Sequence, residues 1–236
     1  MLDETDISQE KEWFYRELAN KVITNLKRLN INAQYVSSRR EALLVMLDMI
    51  PEGAIVARGD SISLDQIGII PELIKRNQNS IIDPQKRDAN GVFIAEQEER
   101  LAIAREAFFS DIYLTGTNAI TIDGKMVNVD GWGNRVSAMV FGPKKVIVAT
   151  GVNKIVKDVD EAYERISQFA APMNAKRHSL KHHWPEFGDL PCVRTGKCVD
   201  CNHDWRICRY TMIIAGTLPK DKGRINVVIA GEELGI

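Results

Sequence analysis

Residues 111–154 constrain the fold more than any other part of the chain, because they combine β-prone runs with turn signals at short, regular spacing. The dipeptide Asp123-Gly124 separates two such runs, and this pair favours a tight hairpin whose central residues both have positive φ. Further along, 146–149 form a wholly apolar run, which is typical of a strand buried on both faces. We therefore predict a hairpin, then a helix capped by Asn134, then a buried strand.

The rest of the chain alternates apolar runs with stretches of helical period. The apolar runs at 54–57 and 225–230 each end in a turn that contains glycine. Capping-box spacing places helix starts near Ser38 and Ser63. Such alternation predicts an α/β fold in which helices flank a mostly parallel sheet, with the hairpin as its antiparallel element.

Polar and charged side chains follow several of the predicted strands, within turns that contain glycine. Ligands bind beyond the carboxyl ends of strands in open α/β sheets, so we expect these residues to line one site. Arg135 and Lys154 would bind a carboxylate or phosphate, and Asp130 is the candidate base or acceptor for a ligand hydroxyl. Each of these residues is also common in ordinary turns. Residues 59–63 are consistent with an anion-binding site and equally with a plain strand–helix turn. The predicted ligand-binding residues are Gly59, Ser61, Thr117, Asn118, Asn128, Asn134, Arg135 and Lys154, with Asp130 as the candidate catalytic residue.

Several motifs of this stretch resemble those of the LUD (lactate-utilisation) domain family. They are T-G-T-N-A-I, D-G, V-N-V-D-G-x-G-N-R, F-G-P-K-K-V-I-V and G-V-N-K-I-V, in this order along the chain. The resemblance extends from about residue 10 to the C-terminus. It includes 53–68, the A-A-P-x-N-A-K-R run at 170–177 and the closing G-E-E-L-G.

The resemblance implies an α/β fold similar to that of sugar-phosphate isomerases and coenzyme A transferases. It also implies a link to a cytoplasmic system, with iron–sulfur protein partners, in which some members take part in the oxidation of lactate to pyruvate. The chemical role of the domain within that system does not follow from the resemblance.

All four cysteines lie within one window of 17 residues, spaced Cys192-x5-Cys198-x2-Cys201-x6-Cys208. Two thiolates at C-x-x-C spacing can bind one metal ion, and disulfides are disfavoured in a chain that shows no export signal. We expect a metal at these cysteines, either an iron–sulfur cluster or zinc, with His203 able to replace one thiolate. The alternative is reduced or redox-active thiols. The spacing matches neither a standard zinc ribbon nor a bacterial ferredoxin, and the family resemblance favours iron–sulfur.

The basic run KRHSLKHHW at 176–184 contains His178, His182 and His183. One interpretation is that they add metal ligands or a proton relay beside the cysteines. The other is a solvated basic turn or a small anion patch, which the usual behaviour of charge runs favours. Aromatic interleaving is limited to Trp184, so the run does not predict nucleic-acid binding.

The bulk properties exclude several classes of function. At 236 residues we expect one α/β domain over 1–236, including a cysteine-rich segment at 186–212. The formal net charge of −1 gives no general attraction to nucleic acid or to anionic membranes. No apolar run reaches the roughly 20 residues of a membrane span, so we expect no membrane insertion. The acidic N-terminus is unlike a signal peptide, which predicts a cytoplasmic location. Homo-oligomerisation stays open.

Three functions are consistent with the sequence. The first is an enzyme or enzyme subunit that binds a small anionic metabolite and, by resemblance, takes part in lactate oxidation with iron–sulfur partners. The second is a non-catalytic metal-binding subunit whose cysteine segment docks a redox partner. The third rests on fold analogy alone and is an enzyme that binds a folate, a nucleotide or a sugar phosphate.

Overall fold

A computed structural model describes residues 4–182 and 184–236. No helix in these two ranges is long and apolar enough to span a membrane. The helices are α1 (Ser8–Arg28), α2 (Arg39–Asp48), α3 (Ile62–Ile67), α4 (Ile69–Arg76), α5 (Gln97–Glu106), α6 (Asn134–Val140), α7 (Val159–Arg165), α8 (Ala171–Lys181) and α9 (Pro191–Thr195). The strands are β1 (Asn32–Val36), β2 (Ile55–Arg58), β3 (Ser80–Ile82), β4 (Ile112–Gly116), β5 (Ala119–Thr121), β6 (Met126–Asp130), β7 (Lys145–Gly151), β8 (Ile155–Val156), β9 (Tyr210–Ile214) and β10 (Ile225–Ala230).

The larger sheet consists of six parallel strands in the order β1-β10-β7-β4-β2-β3, which confirms the predicted mostly parallel sheet. The apolar run of β7 lies near its centre. Successive side chains of a strand point to opposite faces. Val146 and Val148 therefore belong to one core, while Ile147 and Ala149 belong to the other. Burial on both faces explains why this strand has no polar alternation.

Helices cover both faces of the sheet. The buried stripe of α1, which includes Ala19, Val22 and Leu26, packs into the core that contains Val146 and Val148. Helices α2, α3 and α4 cover the opposite face. Each large side chain buried here contributes roughly 1.5–3 kcal/mol. Packing of these stripes therefore orients the helices and fixes where the strand ends emerge.

The hairpin belongs to a second sheet, which corrects its predicted place in the main one. This sheet has the order β8-β5-β6-β9, and β5 pairs antiparallel with β6. Its turn also differs from the expected tight pair. Of Asp123 and Gly124, both of which the structure describes, Gly124 alone has a positive φ, at 91°. The backbone N–H of Thr121 donates to the carbonyl oxygen of Lys125 across the turn. This matches the longer hairpin turn in which a left-handed glycine follows the turn proper.

The second sheet begins where a central strand of the main sheet ends. Gly116 is the last residue of β4, and Ala119 is the first of β5. A Cβ at Gly116 would lie 2.7 Å from Ser61 Oγ, so a side chain there would displace the Ser61 hydroxyl from its place in the turn after β2. The glycine thus permits a close approach of two strand ends.

Candidate functional site

A cavity of about 200 Å³ lies at the carboxyl ends of the main sheet. Asp60 and Ser61 follow β2, Thr117 and Asn118 follow β4, and Lys154 follows β7. Residues of the second sheet and of α8 complete the wall. This is the position at which open α/β sheets bind their ligands.

Arg135 ties the end of β4 to β6 at this cavity. Its guanidinium donates to Asn128 Oδ1 at 2.8 Å, to Asn118 Oδ1 at 3.0 Å and to the Val129 carbonyl oxygen at 2.8 Å. A guanidinium carries five donors in a fixed fork. Because the protein itself uses much of this fork, the side chain fits a positioning role better than the direct anion contact predicted from the sequence.

Asp130 organises the loop that enters α6. One carboxylate oxygen accepts hydrogen bonds from the backbone N–H groups of Trp132 and Gly133. The other accepts from Val136 N at 3.3 Å and lies 3.6 Å from Arg135 Nε. These contacts fit an anchoring role better than the predicted role of base.

The predicted cap of α6 by Asn134 is wrong. The helix begins at Asn134 itself, its N-cap position is Gly133, and no side-chain hydrogen bond caps it from that position in the described structure. Asp130 supplies an acceptor to the first turn instead, through Val136 N. The left-handed φ of Gly133, 80°, lets the chain fold back so that this carboxylate reaches the helix N-terminus.

Lys154 is a buried cation of the cavity wall, with 5% of its surface exposed. Its ammonium donates to Ser63 Oγ at 3.1 Å. Burial, followed by the positive charges of Arg165 and Arg135, lowers the pKa of Lys154 to about 7. Near neutral pH this side chain therefore changes between a charged donor and a neutral amine.

The wall carries more positive than negative side-chain charge. Both of its side-chain carboxylates, Asp60 and Asp130, lie against arginines. Arg100 donates to a backbone carbonyl and to an amide oxygen, and Lys154 donates to a hydroxyl. Within the two described ranges, neither of these cations has a carboxylate partner at ion-pair distance. Both positive charges would attract an anion into the cavity.

The structure brings most of the residues predicted from the sequence to this one cavity. Gly59 and Asn128 lie behind the wall. Gly59 packs against Tyr113, whose hydroxyl would lie 2.6 Å from a Cβ, and Asn128 is fully buried against Arg135. The predicted residues that line the cavity are Ser61, Thr117, Asn118, Asp130, Asn134, Arg135 and Lys154.

Sequence reasoning missed the part of the wall that comes from distant segments. Asp60, Arg100, Arg177 and His178 also line the cavity. The ion pair between Arg177 and Asp60 joins α8 to the turn after β2, across 117 positions of sequence. The basic run at 176–184 was the sequence feature that could have indicated Arg177 and His178, but no local pattern relates this run to Asp60.

His182 is buried and His178 is partly buried beside it, so the predicted solvated basic turn is wrong for these two residues. Their Nδ1 atoms lie 2.8 Å apart, and the ring of Trp184 stacks on His178. Burial lowers the pKa of His178 to about 4 and that of His182 to about 3, so both rings are neutral at pH 7. His183 lies outside the described residues.

The four cysteines line a second cavity of about 270 Å³, and all four are free thiols. His203, also a described residue, does not contribute to that wall. Burial raises the pKa of Cys192 and Cys208, and the other cysteines add to the shift. We call the cavity lined by Cys192, Cys198, Cys201 and Cys208 the cysteine cleft.

The spacing of the sulfur atoms bears on which metal the cysteine cleft fits. Over residues 4–182 and 184–236, no three of the sulfurs lie within 4.8 Å of one another. A tetrahedral zinc ion holds its sulfur ligands about 3.8 Å apart, given a Zn–S distance of about 2.3 Å. The sulfurs therefore do not already stand in the arrangement that a tetrahedral zinc ion requires.

The first cavity and the cysteine cleft share a wall. A group bound at the cysteines would therefore lie next to whatever fills the first cavity. Cys208 contributes a potential metal ligand to this wall. The shared residues are Val129, Ile166, Ala171, Ile207 and Cys208.

Comparisons with known proteins agree with this architecture. The LUD domain family matches residues 19–230. A crystal structure of a DUF162 family protein from Deinococcus radiodurans is similar, with a TM-score of 0.50 and 14% identity, over 92% of this chain and 98% of that chain. At this identity the likeness shows the fold alone. No curated protein matches the chain at a significant level.

Proposed function

The chain belongs to the LUD domain family, and from that premise we propose that its first cavity binds a small 2-hydroxy or 2-oxo carboxylate, such as lactate or pyruvate. The observation that carries the proposal is the excess positive charge of the wall, where Arg100 and Lys154 lack carboxylate partners in the described structure. Cavities for drug-sized ligands measure about 300–1,000 Å³. A volume of about 200 Å³ therefore suits a small metabolite better than a folate or a nucleotide.

Lys154 would hold the carboxylate. An ammonium group has three protons, and the bond to Ser63 Oγ uses one of them. The remaining protons can serve ligand oxygens, and a hydrogen bond to a charged group contributes about 1.5–3 kcal/mol. Ser61 can assist, because its hydroxyl oxygen accepts from Leu64 N and its proton stays available to a ligand.

The cysteine cleft would hold an iron–sulfur cluster through Cys192, Cys198, Cys201 and Cys208. Four free cysteines line this one cavity, and it shares a wall with the first cavity; both observations support the assignment. When bound, such a cluster supplies one-electron redox chemistry. This combination fits a component of a cytoplasmic lactate-oxidising system that works with iron–sulfur protein partners.

A non-catalytic metal-binding subunit is the second candidate. It is favoured by the positions of Asp130 and Arg135, since both side chains are engaged by the protein rather than directed at a ligand. In that case the cysteine cleft would serve a docked redox partner, and the first cavity would have no metabolite to bind.

Thermal-shift screening separates these candidates, because a ligand that binds only the folded state raises the Tm. We expect lactate or pyruvate to raise the Tm, and nucleotides, folates and sugar phosphates to leave it unchanged. Lys154→Met should abolish the shift. Lys125→Met should keep it, since that lysine pairs with Asp123 in the hairpin and is not part of the cavity wall.

The screen has two contrary outcomes. A shift produced by sugar phosphates or nucleotides, and not by carboxylates, would contradict the proposed ligand class. The absence of any shift would favour the non-catalytic candidate.

A further inference from the structure

Three metal-ligating side chains meet beside the first cavity. Asp60, His178 and His182 each offer one ligand atom, and these atoms lie within 4.8 Å of one another. His178 Nδ1 lies 2.8 Å from His182 Nδ1, and His178 Nε2 lies 4.0 Å from Asp60 Oδ2. Among the residues that the structure describes, no other set of three His, Cys, Asp or Glu ligand atoms is as close.

Two elements bring this trio together. Asp60 lies in the turn between β2 and α3. His178 lies in the last turn of α8, and His182 is its C-terminal cap residue. Residues four apart on a helix are neighbours on one face, so both imidazoles project toward the same place.

We propose that Asp60, His178 and His182 form a binding site for a divalent first-row transition metal ion. Two imidazoles and one carboxylate are the donor set that leaves open coordination positions on such a metal. Asp60 and His178 both line the first cavity, so the open positions face it. Metal–ligand distances of about 2.0–2.2 Å place neighbouring ligand atoms about 3.0–3.5 Å apart. One ligand atom from each of the three residues already lies within 4.8 Å of the other two, so the site needs these atoms to move closer by no more than about 2 Å.

Neighbouring side chains hold the two rings in place. Trp184 stacks on His178, and Phe93 meets His182 edge-on with ring centroids 5.0 Å apart. Asn174 Nδ2 lies 3.4 Å from His178 Nε2. Outer partners of this kind fix ring orientation in metal sites, and their removal commonly costs about 10–100-fold in metal affinity.

Three arginines set the conditions for metal binding. Arg177 pairs with Asp60 and competes for its carboxylate. Arg87 and Arg100 lie over the ring of Phe93, at 3.7 and 3.4 Å from its centroid. Their charges repel a bare dication, whereas a dication that carries a carboxylate ligand is better balanced. Metal and carboxylate should therefore bind cooperatively. The metal site stands on its own geometry, and this cooperativity rests on the proposed function.

Titration of the full chain with cobalt(II), with and without lactate, tests the site. The quadruple variant Cys192→Ser/Cys198→Ser/Cys201→Ser/Cys208→Ser removes the competing thiolates, whose charge-transfer bands would otherwise dominate the spectrum. We expect the weak visible bands of a cobalt ion bound by nitrogen and oxygen. Cobalt affinity should rise about tenfold when lactate is present, within the usual range of coupling between two sites.

Single substitutions in this background identify the ligands. His182→Gln and Asp60→Asn should each lower cobalt affinity by about tenfold or more, by analogy with the loss of other metal-site residues. His203→Gln, in the cysteine segment, is the matched control and should leave cobalt affinity unchanged. Circular dichroism checks folding. If His182→Gln does not fold, Asp60→Asn decides, since Asp60 is partly exposed.

The proposal is overturned if no cobalt binds with or without lactate, or if cobalt affinity is unaffected by the decisive substitution. Calorimetry of lactate with the metal-free wild-type chain keeps this test separate from the proposed function. Lactate binding that persists while cobalt binding fails would remove the metal site only. Cobalt binding without any lactate binding would support the metal site and contradict the proposal that the first cavity binds a carboxylate.

Discussion

Burial sets the acid–base behaviour of Lys154, which the sequence predicts as a ligand of a carboxylate or phosphate. Its ammonium contacts Ser63, and the nearby charges that affect it are the cations Arg135 and Arg165. Desolvation and like charge both disfavour the protonated form. An anion bound in the cavity would offset the like charge and stabilise the ammonium form, so protonation of this lysine and anion binding should be linked.

Carboxylate affinity is expected to weaken as the pH rises through about 7. Below that pH Lys154 is a charged donor, and above it the amine is neutral, so the bound anion stabilises the charged form and binding takes up a proton. Calorimetry with pyruvate from about pH 6 to about pH 8.5, in buffers of different ionisation enthalpy, measures both quantities. Lys154→Met should flatten the pH profile, while Lys125→Met should preserve it. A constant affinity and no proton uptake in the wild-type chain would exclude Lys154 from the ligand contact.

At the scale of single elements, the capping-box spacing in the sequence predicts the N-cap residue of one helix correctly and misplaces that of another. Ser38 caps α2, as its spacing from Glu41 indicates. Capping-box spacing also favours Ser63, yet α3 begins earlier and Ser61 caps it by accepting from Leu64 N. The structure thus places Ser61 at both the helix start and the cavity wall.

Ser61 and Ser38 offer a matched pair for separating stability from binding. Ser61→Ala and Ser38→Ala should each lower the free energy of unfolding by about 1 kcal/mol, because each removes one helix cap. Only Ser61→Ala should also weaken pyruvate binding, since Ser38 is not part of the cavity wall. Urea unfolding and calorimetry on the same samples give both quantities. Equal binding by the two variants would show that Ser61 acts only as a cap.

At the scale of the whole molecule, the parallel sheet could be predicted because burial on both faces marks its central strands β4, β7 and β10 in their own sequences. The second sheet could not, because β6 pairs with β9 through partners such as Asp130 and Tyr210, which lie far apart in the chain. The ion pair of Arg177 with Asp60 is hidden for the same reason. The residues that follow the strands could therefore be predicted as one side of the cavity wall. The other side is formed by distant segments, which only tertiary packing brings together.

The proposed function depends most on the wall shared by the two cavities. Cys208 and Ile207 line both the first cavity and the cysteine cleft. A cluster held by the cysteines would thus be in direct contact with the environment of the bound carboxylate. Hydrogen bonds and solvent exposure around a cluster tune its electronic properties, so ligand binding next door should change its spectrum.

Electron paramagnetic resonance of anaerobically purified, reduced protein, recorded before and after addition of lactate, tests this feature most directly. We expect iron and acid-labile sulfide in the protein, and a cluster signal that changes when lactate binds. The change should disappear in Lys154→Met and persist in Lys125→Met. Protein that contains zinc or no metal at the cysteines, or a cluster signal unaffected by saturating lactate, would contradict a carboxylate site built against the cysteine cleft.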